Sequence, residues 1–251
     1  MKSGLFLVCA SAALSLAASG AQQACAAAAP RTGHSKPAKV TDWAAVVTPT
    51  PAGGFMMGNP DAKVKLVEYG SLACPHCRHF EETGYKPLVQ QYVRSGAVSY
   101  EFRNLLINGP DVSISLLAHC AGPAKFFPMS ELVYATQPEW QKRLEDMSDA
   151  DKAALDKMTD QQRVIRFAEI GGLAQIAARF GVTPARAKQC LADPKGLQRL
   201  LDMTKTAMDN GIGHTPTFLI NGKAVDAATW DGLEPELKKA LGEAGQGSKA
   251  N

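Results

Sequence analysis

The period of apolar and polar positions changes along this chain, and each change predicts a different kind of element. Residues 64–69 and 98–104 carry short runs that are apolar or alternate in polarity, which predicts two strands. The segment between them begins at Pro75 and has helical spacing, with a kink expected where Gly84 and Pro87 interrupt it. The first part of the chain therefore reads as a strand–helix–strand unit.

Residues 110–210 predict a block made only of helices. Apolar residues recur there at intervals of three and four, as in Val164, Phe167 and Ala168, which is typical of packed amphipathic helices. Glycine and proline residues divide the block into short segments. Ser148 and Thr183 are typical of residues that begin a helix.

Strand signals return after the helical block. The pattern predicts a short apolar strand over Thr217–Ile220. Asn221 and Gly222 are typical of a hairpin turn, and residues 223–225 would form the second strand of the hairpin. Residues 229–241 predict a last helix. Since neither strand-bearing part can bury its apolar strands alone, we predict that both share one sheet and that the helical block is an insertion.

The N-terminus predicts a cleaved secretory signal peptide over residues 1–26. It has a positive start, an apolar core at residues 5–18, and a small-residue cleavage site ending at Ala26. Cleavage after Ala21 or Ala28, an uncleaved anchor and a lipid anchor at Cys25 are the alternatives. We therefore expect the protein to be exported to the periplasm.

The remaining segments follow from the breaks in pattern. Residues 27–58 are rich in Ala, Pro, Thr and Gly and predict a flexible arm that includes a first strand at residues 55–57. The other expected boundaries are the two parts of the strand-bearing domain at 59–109 and 211–242, the helical insertion at 110–210, and a disordered tail at 243–251.

Composition narrows the class of partner. The chain has 251 residues with 27 basic and 24 acidic side chains, a formal net charge of +3. No dense basic block is present, so we expect no nucleic-acid partner.

Cysteine usage points to disulfide chemistry. Cleavage after Ala26 removes two of the six cysteines and leaves Cys74, Cys77, Cys120 and Cys190. An even number in an exported chain favours two disulfides. We expect a structural disulfide between Cys120 and Cys190 in the helical block; two buried free thiols are the alternative.

The segment Cys74-Pro75-His76-Cys77 carries the predicted chemistry. Two cysteines two residues apart can form a reversible disulfide, and the unpaired N–H groups at a helix start favour a thiolate. We therefore predict that Cys74 is an exposed, acidic nucleophile, that Cys77 is a buried resolving thiol, and that His76 helps to stabilise the thiolate.

This segment does not match the motif of a structural zinc site or of c-type haem attachment. A structural zinc site needs a second close cysteine pair, and c-type haem attachment needs a histidine directly after Cys77, where the chain has Arg78. We expect no metal and no cofactor.

Thr215-Pro216 stands immediately before the last apolar strand, where a proline suits a sheet edge or a cis turn. Together with Glu68, six residues before Cys74, and with the Cys-Pro-His-Cys segment and the helical insertion, it makes the chain resemble the DsbA-like thiol:disulfide oxidoreductases of the thioredoxin superfamily. The resemblance covers roughly residues 59–242. It implies an α/β thioredoxin fold with an inserted all-helical domain.

The resemblance also implies roles for individual residues. Pro216 would be a cis-proline beside the dithiol, and Thr215 would present its backbone to a substrate strand. Independently of the resemblance, His214 is a candidate for the rim of the site because it directly precedes Thr215. Glu68 would be a buried acid behind Cys77 that assists proton movement, although the local pattern also fits a strand residue facing solvent. Pro75 and His76 complete the expected catalytic set.

The resemblance implies an enzyme that oxidises cysteines of folding exported proteins and is itself reoxidised by a DsbB-like membrane oxidoreductase. We expect a monomer, because residues 27–58 are too few and too rich in breakers for a separate dimerisation domain. Thr215 leaves the direction open, because the family's best-known oxidase carries an aliphatic residue there and threonine is common in related isomerases and reductases. An isomerase or reductase kept reduced by a membrane electron donor is therefore the alternative. A polypeptide-binding chaperone module is a third reading.

Overall fold

The computed structural model describes residues 41–247. The expected signal peptide, the first part of the expected arm and the last four residues of the expected tail lie outside the described residues. Within residues 41–247, no helix combines the length and the apolar character needed to cross a bilayer.

A mixed sheet forms the centre of the described region, with strand order β1-β2-β4-β3-β5-β6. The strands are β1 (Val47–Pro49), β2 (Phe55–Met57), β3 (Val64–Gly70), β4 (Val98–Asn104), β5 (Thr217–Ile220) and β6 (Lys223–Val225). Strands β3 and β4 are parallel, whereas β5 pairs antiparallel with β3, placing Glu68 opposite Phe218. The prediction that the two strand-bearing parts share one sheet is confirmed.

Helix α1 (Pro75–Phe80) begins directly after Cys74 and starts with a proline, whose missing N–H costs nothing in a first turn. Wide π-helical turns continue it over Glu81–Tyr85 and Leu88–Val93. Gly84 and Pro87, where the sequence predicts a kink, thus lie within a stretch of widened turns. Gly84 is required for packing, because a Cβ there would lie 2.6 Å from the Phe80 ring.

The predicted helical block is confirmed. It contains α2 (Gly109–Cys120), α3 (Pro123–Ala135), α4 (Gln137–Glu145), α5 (Asp149–Asp156), α6 (Asp160–Ile170), α7 (Leu173–Ala178), α8 (Pro184–Leu191) and α9 (Pro194–Asp209). Ser148 and Thr183 cap α5 and α8 through their side chains, as predicted. The last helix is α10 (Trp230–Gly247).

The block shares its core with the sheet. Phe126 of α3 lies 4.6 Å, between ring centroids, from Phe55 of β2 and 5.6 Å from Phe102 of β4. Trp140 of α4 is fully buried in the same cluster. Apolar burial on this scale is the main favourable term in folding, so the insertion and the sheet stabilise each other.

Two boundary predictions are wrong. The predicted strand at residues 55–57 is confirmed as β2, but residues 41–54 are not a flexible arm, because β1 pairs with β2 and extends the sheet. The tail does not begin at residue 243, since α10 continues to Gly247 while Leu241 and Ala244 pack against the core. In both places tertiary packing overrides the local glycine and proline signals.

Candidate active site

The loop that follows the carboxyl end of β3 leads to Cys74 and to the start of α1, which carries Cys77. Cys74 is the N-cap of α1, and its backbone N–H donates to the Ser71 carbonyl oxygen at 3.1 Å. Cys77 lies on the first turn. Both cysteines are free thiols in this structure.

Cys74 lies against the turn that precedes β5. Its Sγ is 3.4 Å from the carbonyl oxygen of Thr215, and the Thr215–Pro216 peptide bond is cis. The sequence prediction of an exposed Cys74 is wrong, because only 5% of the residue is exposed. The turn covers one side of it, and Gln137 of α4 holds its carbonyl oxygen at 3.2 Å.

Hydrogen bonding lowers the pKa of Cys74 from 9.0 to about 5. The Cys77 thiol is the largest cause, followed by the Thr215 side chain and by the backbone N–H groups of Cys77 and His76, which together outweigh burial. The Thr215 carbonyl oxygen accepts from the protonated thiol, which by itself would raise the pKa of Cys74, but the groups that donate to the thiolate are more numerous. The His76 contribution comes through its backbone, since its ring is exposed.

Cys77 has the opposite environment. It is 1% exposed, and its Sγ accepts the Ser71 N–H at 3.5 Å. Burial raises the pKa of Cys77 well above its usual value, and donation to Cys74 and the charge of Glu68 raise it further. The two sulfurs therefore differ strongly in acidity.

Glu68 of β3 lies behind the dithiol and is 2% exposed, so the alternative of a solvent-facing position is wrong. Tyr100 of β4 donates its hydroxyl to Glu68 Oε2 at 2.6 Å. Burial raises the pKa of Glu68 to about 8, the Tyr100 hydrogen bond lowers it, and the charge of Cys74 raises it. Tyr100 was missed by the sequence analysis, because its partner comes from a neighbouring strand 32 residues away.

A second buried carboxyl group, which the sequence analysis also missed, supports the loop before Cys74. Asp111 of α2 accepts the Ser71 hydroxyl on Oδ2 at 2.6 Å and the Ile107 N–H at 3.1 Å. Burial raises the pKa of Asp111 to about 6. Tyr134 of α3 adds a hydrogen bond from its hydroxyl to the Ser71 carbonyl oxygen at 3.1 Å.

The remaining predicted residues lie around this centre. Pro216 is buried and Thr215 half-buried, while His214 is exposed with its ring Nδ1 2.7 Å from the Thr217 hydroxyl. The rim role of His214 stays a prediction. Within residues 41–247, no three acidic, histidine or cysteine side chains come together as metal ligands.

The family model described as thioredoxin matches residues 50–239. The chain belongs to the thioredoxin superfamily. The fold is DsbA-like, with the α1 dithiol and the cis turn on the sheet and a helical insertion between them.

Known relatives agree with this thioredoxin-superfamily assignment. A Rickettsia bellii protein named "Putative protein-disulfide oxidoreductase" is 28% identical over 75% of this chain and 65% of its own length. The chain thus spans slightly under two thirds of that relative. "Disulfide bond formation protein D" of Bacillus subtilis is 22% identical over 77% of this chain and 79% of its own length.

Two solved structures share the fold. A protein-disulfide isomerase from Novosphingobium aromaticivorans has a TM-score of 0.70 and 27% identity, covering 74% of this chain and 96% of its own. Wolbachia pipientis alpha-DsbA1 has a TM-score of 0.63 and 20% identity, covering 78% of this chain and 94% of its own.

The second cysteine pair of this DsbA-like chain is joined. Cys120 of α2 and Cys190 of α8 form a disulfide with their Cα atoms 6.0 Å apart. The expected structural disulfide is confirmed, and it ties together two helices of the insertion.

Proposed function

We propose that the protein is a thiol:disulfide oxidoreductase that introduces disulfides into exported proteins through Cys74 and Cys77. The observation that supports this most directly is the contrast between the two thiols. Cys74, with its pKa lowered to about 5, faces the cis turn, whereas Cys77 is buried with a raised pKa. A stabilised thiolate favours the reduced enzyme, so the Cys74–Cys77 disulfide is a strong oxidant.

The first step breaks the enzyme's disulfide. A client thiolate attacks Cys74 Sγ, a mixed disulfide forms, and Cys77 leaves as a thiolate that takes up a proton. Glu68, with a pKa of about 8, is mostly protonated near neutral pH and is the buried group that supplies this proton. The Ser71 N–H at Cys77 Sγ stabilises the leaving sulfur.

The second step releases the oxidised client. Its second thiolate attacks its own sulfur in the mixed disulfide, and Cys74 leaves as a thiolate. Two client thiols become one disulfide, and the two electrons remain on the enzyme as the Cys74–Cys77 dithiol. A low thiol pKa makes Cys74 a good leaving group, which favours this direction.

The surroundings of the dithiol would hold the client as an extended strand. Thr215 and Pro216 would meet its backbone beside Cys74, and His214 lies on the exposed edge of the same turn. Reoxidation by a DsbB-like membrane oxidoreductase completes the cycle, and the segment over residues 1–26 would direct export to the periplasm.

The alternative direction has specific support. Thr215 precedes the cis-proline, and the Novosphingobium relative in structure is named as a protein-disulfide isomerase. In that case a membrane electron donor would keep Cys74 and Cys77 reduced, and the same thiolate would attack wrong client disulfides.

Mixing the oxidised protein with a reduced, unfolded disulfide protein tests the proposal. The parent should transfer its disulfide, Cys74→Ser should not, and Cys77→Ala should accumulate a mixed disulfide when given an oxidised client. A Cys120→Ala/Cys190→Ala variant serves as control and should still transfer. Absence of transfer by the parent, or equal transfer by Cys74→Ser, contradicts the proposal.

Separate measurements decide whether the protein acts as an oxidase or as an isomerase or reductase. Equilibration against glutathione gives the reduction potential, and alkylation in intact cells gives the redox state of Cys74 and Cys77. A mostly oxidised dithiol supports the oxidase, whereas a mostly reduced one supports the isomerase or reductase.

A further inference from the structure

Asp111 is a fully buried carboxyl group surrounded by hydrogen-bond donors. Oδ2 accepts from the Ser71 hydroxyl and the Ile107 N–H, and Oδ1 accepts from the Ser115 hydroxyl at 3.3 Å. Ser115 is held in turn by Asn104, whose Nδ2 donates to its oxygen at 2.9 Å. A buried carboxyl group is costly unless its oxygens are satisfied, so this arrangement ties the position of Ser71 to helix α2.

Ser71 contacts both active-site cysteines through its backbone. Its N–H donates to Cys77 Sγ at 3.5 Å, and its carbonyl oxygen accepts the Cys74 N–H at 3.1 Å. Its side-chain oxygen accepts the Ala73 N–H at 3.1 Å while donating to Asp111. The orientation of the loop before the dithiol therefore depends on the contact between Ser71 and Asp111.

We propose that Asp111 is a positioning residue for the dithiol, because it holds Ser71 so that the Ser71 N–H faces Cys77 Sγ. This inference rests on the proposed dithiol exchange and adds a residue to it. Asp111 acts through Ser71 and touches neither sulfur.

The effect on chemistry follows from hydrogen bonds in series. The Ser71 N–H donates to Cys77 Sγ, and the Cys77 thiol donates to the Cys74 thiolate. A sulfur that accepts one hydrogen bond becomes a better donor in the next, since bonds in a chain polarise one another. Loss of the Asp111 anchor misplaces the first donor, weakens the second, and makes the Cys74 thiolate less stable.

Three variants separate geometry from charge. Asp111→Ala and Ser71→Ala both remove the anchor. Asp111→Asn keeps a carbonyl oxygen that accepts from the Ser71 hydroxyl while its NH₂ faces Ser115. Ser113→Ala is the matched control, because Ser113 is also buried on α2 but donates to the Val164 carbonyl oxygen at 2.8 Å, away from the dithiol.

Two quantities are measured on the full-length variants. The Cys74 pKa comes from the thiolate absorbance of the reduced proteins. The equilibrium constant for reduction comes from equilibrating each variant with glutathione. Asp111→Ala and Ser71→Ala should raise the Cys74 pKa by about half a unit, which corresponds to about a threefold fall in the equilibrium constant. The double variant should shift no further than either single one. Asp111→Asn and Ser113→Ala should match the parent.

Two results overturn the proposal. In the first, Ser71→Ala matches Ser113→Ala in Cys74 pKa and equilibrium constant, which would leave Asp111 a structural role only. In the second, Asp111→Asn shifts both values as far as Asp111→Ala, which would assign the effect to charge. If Asp111→Ala does not fold, Ser71→Ala and Asp111→Asn decide alone. Failure of the parent to oxidise clients would reject the proposed function while leaving this pKa comparison intact.

Discussion

Tyr100 donates its hydroxyl to Glu68 Oε2 at 2.6 Å, and both side chains are almost completely buried. A hydrogen bond to a carboxylate normally favours its charged form. Here burial is the larger effect, so the pKa of Glu68 still rises to about 8. The acid is therefore poised to exchange a proton close to physiological pH.

Replacing Glu68 with glutamine should change how stability depends on pH. A group whose folded pKa of about 8 exceeds its unfolded value of 4.5 stabilises the fold fully below pH 4.5, and this contribution is lost as pH rises through 8. Relative to the parent, Glu68→Gln should gain stability between pH 5 and 8, on the order of 2–4 kcal/mol. Urea unfolding of the reduced proteins at pH 5 and pH 8 measures this, because both thiols are free in the structure that gives this pKa. An equal difference between the two proteins at both pH values would contradict the prediction.

The reduced protein should gain stability relative to the oxidised protein as pH rises. The folded pKa of Cys74 is depressed to about 5, so its contribution is fully present above the unfolded value of 9.0 and is lost as pH falls through 5. The difference in unfolding free energy should grow by up to about 1.4 kcal/mol per pH unit within this window, less where solvent screens the thiolate. Denaturant titrations of both redox forms at pH 5 and 7 measure it. Reduced Cys74→Ser should lack this slope, and a parent with the same slope as Cys74→Ser would reject the assignment.

Removing the Thr215 hydroxyl should raise the Cys74 pKa. The Thr215 side chain is one of the donors that stabilise the thiolate. Thr215→Ala should therefore raise the pKa by about half a unit, the size expected for one hydrogen bond. Thiolate absorbance against pH gives the value. Thr215→Ser, which keeps a hydroxyl, is the control and should restore the parent pKa; equal pKa values in the alanine variant and the parent would refute the role of the hydroxyl.

Loss of the Cys120–Cys190 disulfide should lower stability without changing the acidity of Cys74. The bond closes a loop of 70 residues within the insertion. Cys120→Ala/Cys190→Ala should lower the free energy of unfolding by about 2–4 kcal/mol. Chemical denaturation compares it with the parent, and both proteins should give the same Cys74 titration. A variant as stable as the parent would show that the bond contributes no net stability.

The sequence predicts the parts of the fold that have a local signal. The strands beginning at Val64 and Val98, the helix start at Pro75 and the hairpin at Asn221 each carry an apolar pattern or a turn residue within a few positions. β1 does not, because Pro49 in its short span suggests a loop. β1 forms because it pairs with β2, and no local sequence pattern indicates this pairing.

The site is predicted to a similar degree. The dithiol and its place at a helix start follow from the sequence, and the cis bond at Pro216 and the buried acid Glu68 follow from the family resemblance. The burial of Cys74 and the contact between Ser71 and Asp111 depend on helices that arrive from 40 or more residues away. Such contacts are set by tertiary packing and leave no spacing in the sequence.

The two sides of the reactive centre come from opposite ends of the folded chain. Cys74 and the Thr215 carbonyl that faces it are 141 positions apart, and β5 must pair with β3 before they meet. During synthesis from the amino end, Cys120 and Cys190 are therefore both made before a working centre can exist. A molecule in which Cys120 and Cys190 pair before β5 joins β3 therefore pairs them without help from its own assembled centre.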